Sequence, residues 1–360
     1  MRVASFFSGI GGLDEGFRAA GFDVVWANEN HLPTSTALKA NHETLELNSA
    51  SILELKGTDV PEVDGYIGGP PCQSWSVAGA HKGDSDPRGK TLWEYVRMIE
   101  EGFPSFFVLE NVPGMTASTH RHSFIRLLGR LTGAGYNVSY GVLNAKNYAV
   151  PQDRKRLFIV GYRVDHQDYF SEPARHPKVV TIGDALSGLD PAAAVPVANS
   201  ARGFDETAPL QANHYLDQDH YSYIYMSRQR VRPVDGLAFT VQASGNHAQL
   251  HPQAPPMEWI GQDAFRFAPG SEDLYRRISV REAARLQTFP DSFLIPYEKI
   301  SDGYKMVGNA VPVNLARAVA LQIKSDIGAA TKGNKPKQRF AGGLSMFNRQ
   351  RNIKPFVYSA

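Results

Sequence analysis

Cysteine is almost absent, with Cys72 the single one among 360 residues. One thiol excludes an intramolecular disulfide framework and any zinc site built from cysteines, and it fits a reducing compartment, so a cytoplasmic protein is expected. Long apolar runs are missing as well. No stretch approaches the ~20 residues that span a bilayer. The N-terminus, Met1 to Phe7, enters a strand pattern without a signal-type segment, and no membrane association is expected. Charge of one sign is also lacking, since 38 Lys+Arg against 36 Asp+Glu leave +2, a balance that neither demands nor excludes a polyanionic partner. The basic residues are nonetheless gathered at Lys82 with Arg88 and Lys90, at Arg154 with Lys155 and Arg156, at Arg228 with Arg230 and Arg232, and at Arg276 with Arg277. Any one of these is an ordinary solvated face. Four of them beside motif-like segments point toward nucleic acid.

The chain is long enough to bury a large core and divide into a main domain with an insertion. Short apolar runs at Val3 to Phe7, Val24 to Ala27, Gly65 to Ile67, Phe106 to Leu109, Val138 to Leu143 and Leu157 to Val160 alternate with helical patterns. That alternation predicts an α/β fold with a doubly wound, Rossmann-like parallel sheet over residues 1–171. Residues 172–275 hold many prolines and little helical periodicity, and read as a smaller, loop-rich domain. Helical patterns resume within 276–330, at Val280 to Gln287 and Val313 to Ile327, and the second is expected to pack back on the first domain. Residues 331–360 are basic and aperiodic, and are expected to form a flexible tail.

Cys72 sits in Gly68-Gly69-Pro70-Pro71-Cys72-Gln73-Ser74, at the end of an apolar run. A thiol in such a setting reads as a nucleophile once a neighbouring charge or helix N-terminus lowers its pKa; the alternative is a buried cysteine acting as a small hydrophobe. The run Phe106 to Leu109 delivers Glu110 to the same carboxyl edge of the sheet, where open α/β sheets place their sites. Glu110 is equally readable as a structural acid. Arg154 and Arg156 precede another strand and can hold a carboxylate, a phosphate or a base carbonyl. At the other end of the crevice, Phe7-Ser8-Gly9-Ile10-Gly11-Gly12 follows the first strand and opens a helix, so backbone can approach a ligand there, although the spacing is not the dinucleotide pattern. Glu29 closes the second strand, where a carboxylate can accept hydrogen bonds from ribose hydroxyls, which favours a nucleoside over a bare phosphate. His247 and His251 lack an intervening Glu and run into Pro252, so no metal site is expected.

Taken together, Phe7 to Gly12, Glu29, Pro70-Pro71-Cys72-Gln73, Glu110-Asn111-Val112, Gln152 with Arg154 and Arg156, Arg281 to Gln287 and Gly308-Asn309-Ala310-Val311-Pro312 resemble, in the same order, the motifs of the DNA (cytosine-5)-methyltransferases. The resemblance implies a class I S-adenosylmethionine-dependent methyltransferase domain over 1–171, a target-recognition domain over 172–275 and a segment returning to the catalytic domain over 276–330. It implies methyl transfer from S-adenosyl-L-methionine to C5 of a cytosine flipped from duplex DNA, leaving S-adenosyl-L-homocysteine. By that resemblance Cys72 is the nucleophile toward C6, Glu110 a protonated acid at N3, Arg154 the contact to the cytosine O2 and Arg156 its support. Phe7, Gly9, Gly11, Gly12, Glu29, Asn30, Ile52, Pro70, Leu92, Asn309 and Val311 are the implied cofactor contacts. One position departs from the family, in that Ser51 precedes Ile52 where an acid is common. Residues Ser74 to Thr91 resemble the mobile loop that closes over the base, with Lys82 and Arg88 on DNA phosphates.

The stretches Met226 to Arg232, Phe239 to Gly245 and Leu250 to Pro255 resemble the recognition region of bacterial modification methylases specific for GGCC. Arg228 and Arg230 are then guanine readers, since arginine pairs bidentately with guanine O6 and N7, and Gln242 supports or contacts a base. The inner cytosine of GGCC is the expected target, within a restriction-modification system whose endonuclease shares the site without needing to bind this chain. A monomer is expected. The rival readings are a tRNA cytosine-5 methyltransferase, whose Cys-Phe-Thr signature a chain with one cysteine cannot carry, a catalytically silent DNA-binding relative, and a thiol hydrolase, for which no partner histidine stands in a recognisable setting.

Overall fold

The structure, a computed structural model, describes residues 1–71, 87–165, 169–198, 213–217, 221–330 and 353–355. Six strands follow the apolar runs, β1 (Arg2–Phe6), β2 (Asp23–Asn28), β4 (Gly65–Gly68), β5 (Phe106–Asn111), β6 (Tyr136–Asn144) and β7 (Lys155–Arg163), and a seventh, β3 (Glu46–Asn48), has no apolar run behind it. Helices α1 (Gly12–Ala19), α2 (Leu32–Asn41), α3 (Pro87–Gly102) and α4 (Arg121–Gly133) connect them. Strands β3, β2, β1, β4 and β5 run parallel in that spatial order. The all-parallel expectation fails at β7, which pairs antiparallel with both β5 and β6. Residues 145–154, the only link from β6 to β7, are too few for the helical crossover that a parallel neighbour requires.

Both faces of the sheet are covered, which is why its central strands are apolar almost throughout. Val3, Val24, Val108 and Phe158 belong to one core with Phe17 of α1; Ala4, Trp26, Phe107 and Leu109 belong to the other with Val96 of α3 and Leu128 of α4. After β7 come the short elements α5 (Ile182–Leu186), β8 (Val195–Ala198), β9 (His214–Asp217), α6 (Tyr223–Met226), β10 (Glu258–Gly261) and β11 (Ala264–Arg266), with β8–β9 and β10–β11 forming separate two-stranded sheets. The chain then returns through α7 (Val280–Leu286), α8 (Ile300–Asn309) and α9 (Val313–Ala330). Leu315, Ala316, Val319 and Ile323 of α9 join the first core, as the apolar spacing anticipates. The contact of α9 with α1 is close enough that a Cβ on Gly16 would lie 2.3 Å from the Ala316 Cβ.

The segment read as a flexible tail contains an ordered piece. Strand β12 (Ile353–Pro355) pairs parallel with Val138 to Tyr140 and forms the outer edge of the main sheet beside β6. Isolated from its context, a three-residue strand leaves no periodic signal to read. Among the described residues no helix is long and apolar enough to cross a membrane.

Candidate active site

The carboxyl ends of β1, β2, β4 and β5 open on one cavity of about 320 Å³, a size in the range of small-molecule sites. The turn after β1 supplies its first wall. Phe7 and Gly9 take positive φ of 52° and 58°, Gly11 is left-handed as the N-cap of α1, and a Cβ on Gly12 would lie 2.3 Å from the Val311 carbonyl oxygen. Only glycine at position 12 lets the returning segment Asn309 to Val311 close that wall. Opposite stands Glu29, whose Oε2 accepts from the Gly9 N–H at 2.9 Å and whose Oε1 accepts from the His31 N–H at 2.8 Å. Its carboxylate is thus pinned with lone pairs to spare, an acceptor suited to ribose hydroxyls.

At the other end lies Glu110. It is the penultimate residue of the fully buried β5, is 9% exposed, and burial holds its carboxyl above the ordinary range against the opposing pull of Arg156 and Arg154. Arg156 Nε sits 3.1 Å from Glu110 Oε1. The antiparallel register explains the pair: Glu110 faces Phe158, and Arg156, two residues from Phe158 on β7, projects from the same face. Gly69 lies against the acid, where a Cβ would come within 3.1 Å of Glu110 Oε2, and Asn111 Nδ2 donates to the Pro70 carbonyl. Pro70 and Pro71 line the cavity beside Glu110. Cys72 and Lys82 lie outside the described residues, as does most of the segment Ser74 to Thr91; Arg88 falls in the first turn of α3 with its side chain outside the description.

The structure brings Phe7, Gly9, Gly12, Glu29, Asn30, Pro70, Asn309 and Val311 to this cavity, together with Glu110, Arg154 and Arg156. Three expected cofactor contacts do not line it. Gly11 is turned behind the wall, where a Cβ would meet Leu38, and Ile52 and Leu92 are buried in the core with Phe6 and Trp26. Arg154 requires a larger correction. It is 1% exposed, its Nη1 donates to the Val241 carbonyl at 3.0 Å, and its Nη2 donates to the Gly308 and Ala310 carbonyls at 2.8 and 3.1 Å. A guanidinium so committed to backbone oxygens is a brace, and Arg156 is the arginine that reaches the acid. Arg230 is similar, since its Nε and Nη2 donate to the Tyr225 and Ile224 carbonyls and its guanidinium stacks on Tyr225. Arg228 and Gln242 are exposed and line a second cavity of about 500 Å³ with Arg230, Phe239 and Tyr304. Sequence reasoning missed His31, Thr34 and Lys305 at the cofactor end. His31 Nδ1 meets Thr34 Oγ1 at 2.7 Å while Lys305 Nζ lies 3.2 Å from His31 Nε2, a bridge between residues 274 positions apart that no local pattern announces.

The fold is a doubly wound α/β sheet with a cavity at the carboxyl edge of its strands and a buried acid beside it, where open α/β sheets place their ligand sites. Residues 1–325 match the sequence family of C-5 cytosine-specific DNA methylases, and the chain belongs to that family. It is 49% identical over 327 residues to the Type II methyltransferase M.MthTI of Methanothermobacter thermautotrophicus, covering 91% of this chain and 98% of that protein. It is 46% identical over 332 residues to M.NgoPII of Neisseria gonorrhoeae, covering 91% and 96%. Among solved structures, the Entamoeba histolytica methyltransferase EhMeth aligns with a TM-score of 0.67 at 15% identity over 91% of this chain and 98% of that one, and the S. pombe Dnmt2 methyltransferase with 0.61 at 18% over 91% and 98%. At such identities the structural likeness speaks for the fold alone.

Proposed function

We propose that this Type II DNA cytosine-5 methyltransferase modifies the inner cytosine of GGCC in duplex DNA within a restriction-modification system, acting as a cytoplasmic monomer. The observation that carries the chemistry is the buried Glu110 held by Arg156 at the end of β5, in one cavity with Glu29 and the Phe7 to Gly12 turn.

Cytosine C5 is a weak nucleophile, so the reaction needs the ring made electron-rich first. The Cys72 thiolate adds to C6 of an extruded cytosine, dearomatising the ring and pushing electron density toward N3 and C5. Glu110, whose hold on a proton burial strengthens, donates that proton at N3 and reads the Watson–Crick edge. Arg156, rather than Arg154, holds Glu110 in place and is positioned to donate toward the cytosine O2. S-adenosyl-L-methionine, when bound, supplies the electrophilic methyl that C5 takes up. Loss of the C5 proton to water and elimination of the Cys72 thiolate then restore the aromatic ring. Gly12 and the Asn309 to Val311 turn grip the cofactor, and Glu29 fixes its ribose.

Arg228 supports guanine reading in the second domain, because it is exposed in the cleft-side cavity and makes no hydrogen bond or ion pair among the described residues. Arg230 serves instead to shape the loop that presents Arg228. Plasmid treated with the protein and cofactor is expected to resist a GGCC-specific endonuclease that is blocked by this mark; complete cutting contradicts the specificity. The boundaries 1–171, 172–275 and 276–330 enter the proposal as the catalytic, recognition and returning segments.

A further inference from the structure

The joint between the recognition-side segment at Val241 and the cofactor-side turn at Ala310 is closed by a ring of buried hydrogen bonds. Val241 N–H donates to Gln152 Oε1 at 2.8 Å. Gln152 Nε2 donates to Gln287 Oε1 at 2.9 Å, and Gln287 Nε2 donates to the Ala310 carbonyl at 2.9 Å. Arg154 completes the circuit, donating through Nη2 to that same Ala310 oxygen and through Nη1 to the Val241 carbonyl. Gln152 and Gln287 are 0% exposed and Arg154 is 1% exposed. Both amide orientations are fixed by partners that can act in one sense only, since Val241 N–H must donate and the Ala310 oxygen must accept. Contacts around the ring stiffen it. Gln287 Nε2 also donates to the Val307 carbonyl, and a Cβ on Gly308 would lie 2.3 Å from the Gln242 carbonyl oxygen.

The two backbone stations of the ring border different cavities. Ala310 lies between Asn309 and Val311 in the cofactor cavity, whereas Val241 lies between Thr240 and Gln242 in the recognition-side cavity. Displacing either station opens buried donors or acceptors that water cannot reach, so the two move together or not at all. We propose that Gln152, Arg154 and Gln287 are positioning residues that couple DNA occupancy of the recognition cleft to cofactor affinity, with Gln287 as the hinge between them. This rests on the DNA-methylation reading of the cleft. Neither glutamine touches the reacting atoms; each acts through the backbone it holds. The coupling is reciprocal by necessity, so duplex tightens the cofactor by the same factor as cofactor tightens the duplex.

The test is isothermal titration of S-adenosyl-L-homocysteine into the full chain, with and without the duplex that the wild type methylates. The wild type is expected to bind the cofactor product about fivefold or more tightly with duplex present, in the range of ordinary allosteric couplings. Gln287→Met and Gln152→Met, of nearly the same size, are expected to bring that ratio to within about twofold of one. Asn41→Ala, which removes both hydrogen bonds between the Asn41 side chain of α2 and the Leu294 backbone, across the same halves of the chain but outside the ring, is expected to lower the melting temperature and keep the wild-type ratio. Wild-type ratios in the two glutamine variants overturn the proposal, as does a ratio of one in the wild type. Should Gln287→Met fail to fold, Gln152→Met decides, because it leaves the Gln287 contacts to α8 intact. Failure of the wild type to methylate any duplex sinks the functional reading instead, and is seen before any variant is made.

Discussion

Replacing Gly12 by alanine places a methyl group 2.3 Å from the Val311 carbonyl oxygen, 3.1 Å from the Ala310 Cβ and 3.2 Å from the Val311 N–H. The first distance is about 1 Å short of ordinary contact, and the obstructing atom is backbone, braced by the Arg154 and Gln287 bonds to the neighbouring Ala310 carbonyl. Relief therefore requires α1 and the Asn309 to Val311 turn to separate, and these are two walls of the cofactor cavity. Misplacement of about 1 Å in a positioning element costs roughly 10²-fold in rate, and overpacking costs about 1–3 kcal/mol of stability. The expected result is a folded Gly12→Ala protein with kcat/KM for S-adenosylmethionine down about 100-fold and cofactor affinity lowered, measured by methyl transfer and titration calorimetry. Gly9→Ala is the contrast, because nothing lies within 4 Å of its Cβ and the cost is confined to the left-handed backbone at φ +58, about 1 kcal/mol. A Gly12→Ala protein that binds cofactor within twofold of wild type would refute the claim that the returning segment forms that wall.

Arg156→Ala is expected to cut the methylation rate at least 10²-fold with little loss of melting temperature, whereas Arg154→Ala is expected to destabilise the protein by about 3 kcal/mol by orphaning buried carbonyls; single-turnover kinetics alongside thermal melts separate the two. Burial raises the Asp14 carboxyl from 3.8 to about 6 against the Ser5 hydroxyl that donates to it. The folded state therefore holds this proton more tightly than the unfolded chain, so the group favours folding below about pH 4 and that contribution is lost as pH rises through about 6, by up to about 3 kcal/mol. Asp14→Asn is accordingly expected to raise the melting temperature at pH 8 and to leave it unchanged at pH 4. Burial likewise raises the Glu110 carboxyl, so methylation, which needs its proton, should fall as pH rises through that raised value, and Glu110→Gln should flatten this limb of the rate profile. Removing residues 331–360 strips β12 from the sheet and bares the β6 edge at Val138 to Tyr140; methylation is expected to survive while the truncated protein self-associates on size-exclusion chromatography as concentration rises.

Much of this molecule is legible one strand at a time. Apolar runs located β1, β2, β4, β5, β6 and β7, and the residues ending those runs, Phe7, Glu29, Pro70 and Glu110, do converge on one cavity. The direction of β7 was not legible from its apolar content, because a buried strand reads alike in either orientation; the short link over residues 145–154 held the answer. From that direction follows that Arg156 is the arginine that meets Glu110, while Arg154 donates to backbone carbonyls. Arg154, Arg230 and the Gln287 amide nitrogen donate to backbone carbonyls, which every residue carries and no motif displays. Ile52 and Leu92 show the converse limit, since an apolar side chain next to a site and one in the core beneath it have the same pattern.

The most direct test of the account is transfer of labelled methyl from S-adenosylmethionine to short duplexes, one containing GGCC and one with the site scrambled, using the wild type beside Cys72→Ser. Label on the GGCC duplex alone, abolished by Cys72→Ser, is the predicted result. Equal label on both duplexes contradicts the GGCC reading, and undiminished label with Cys72→Ser contradicts the thiolate mechanism on which the account rests.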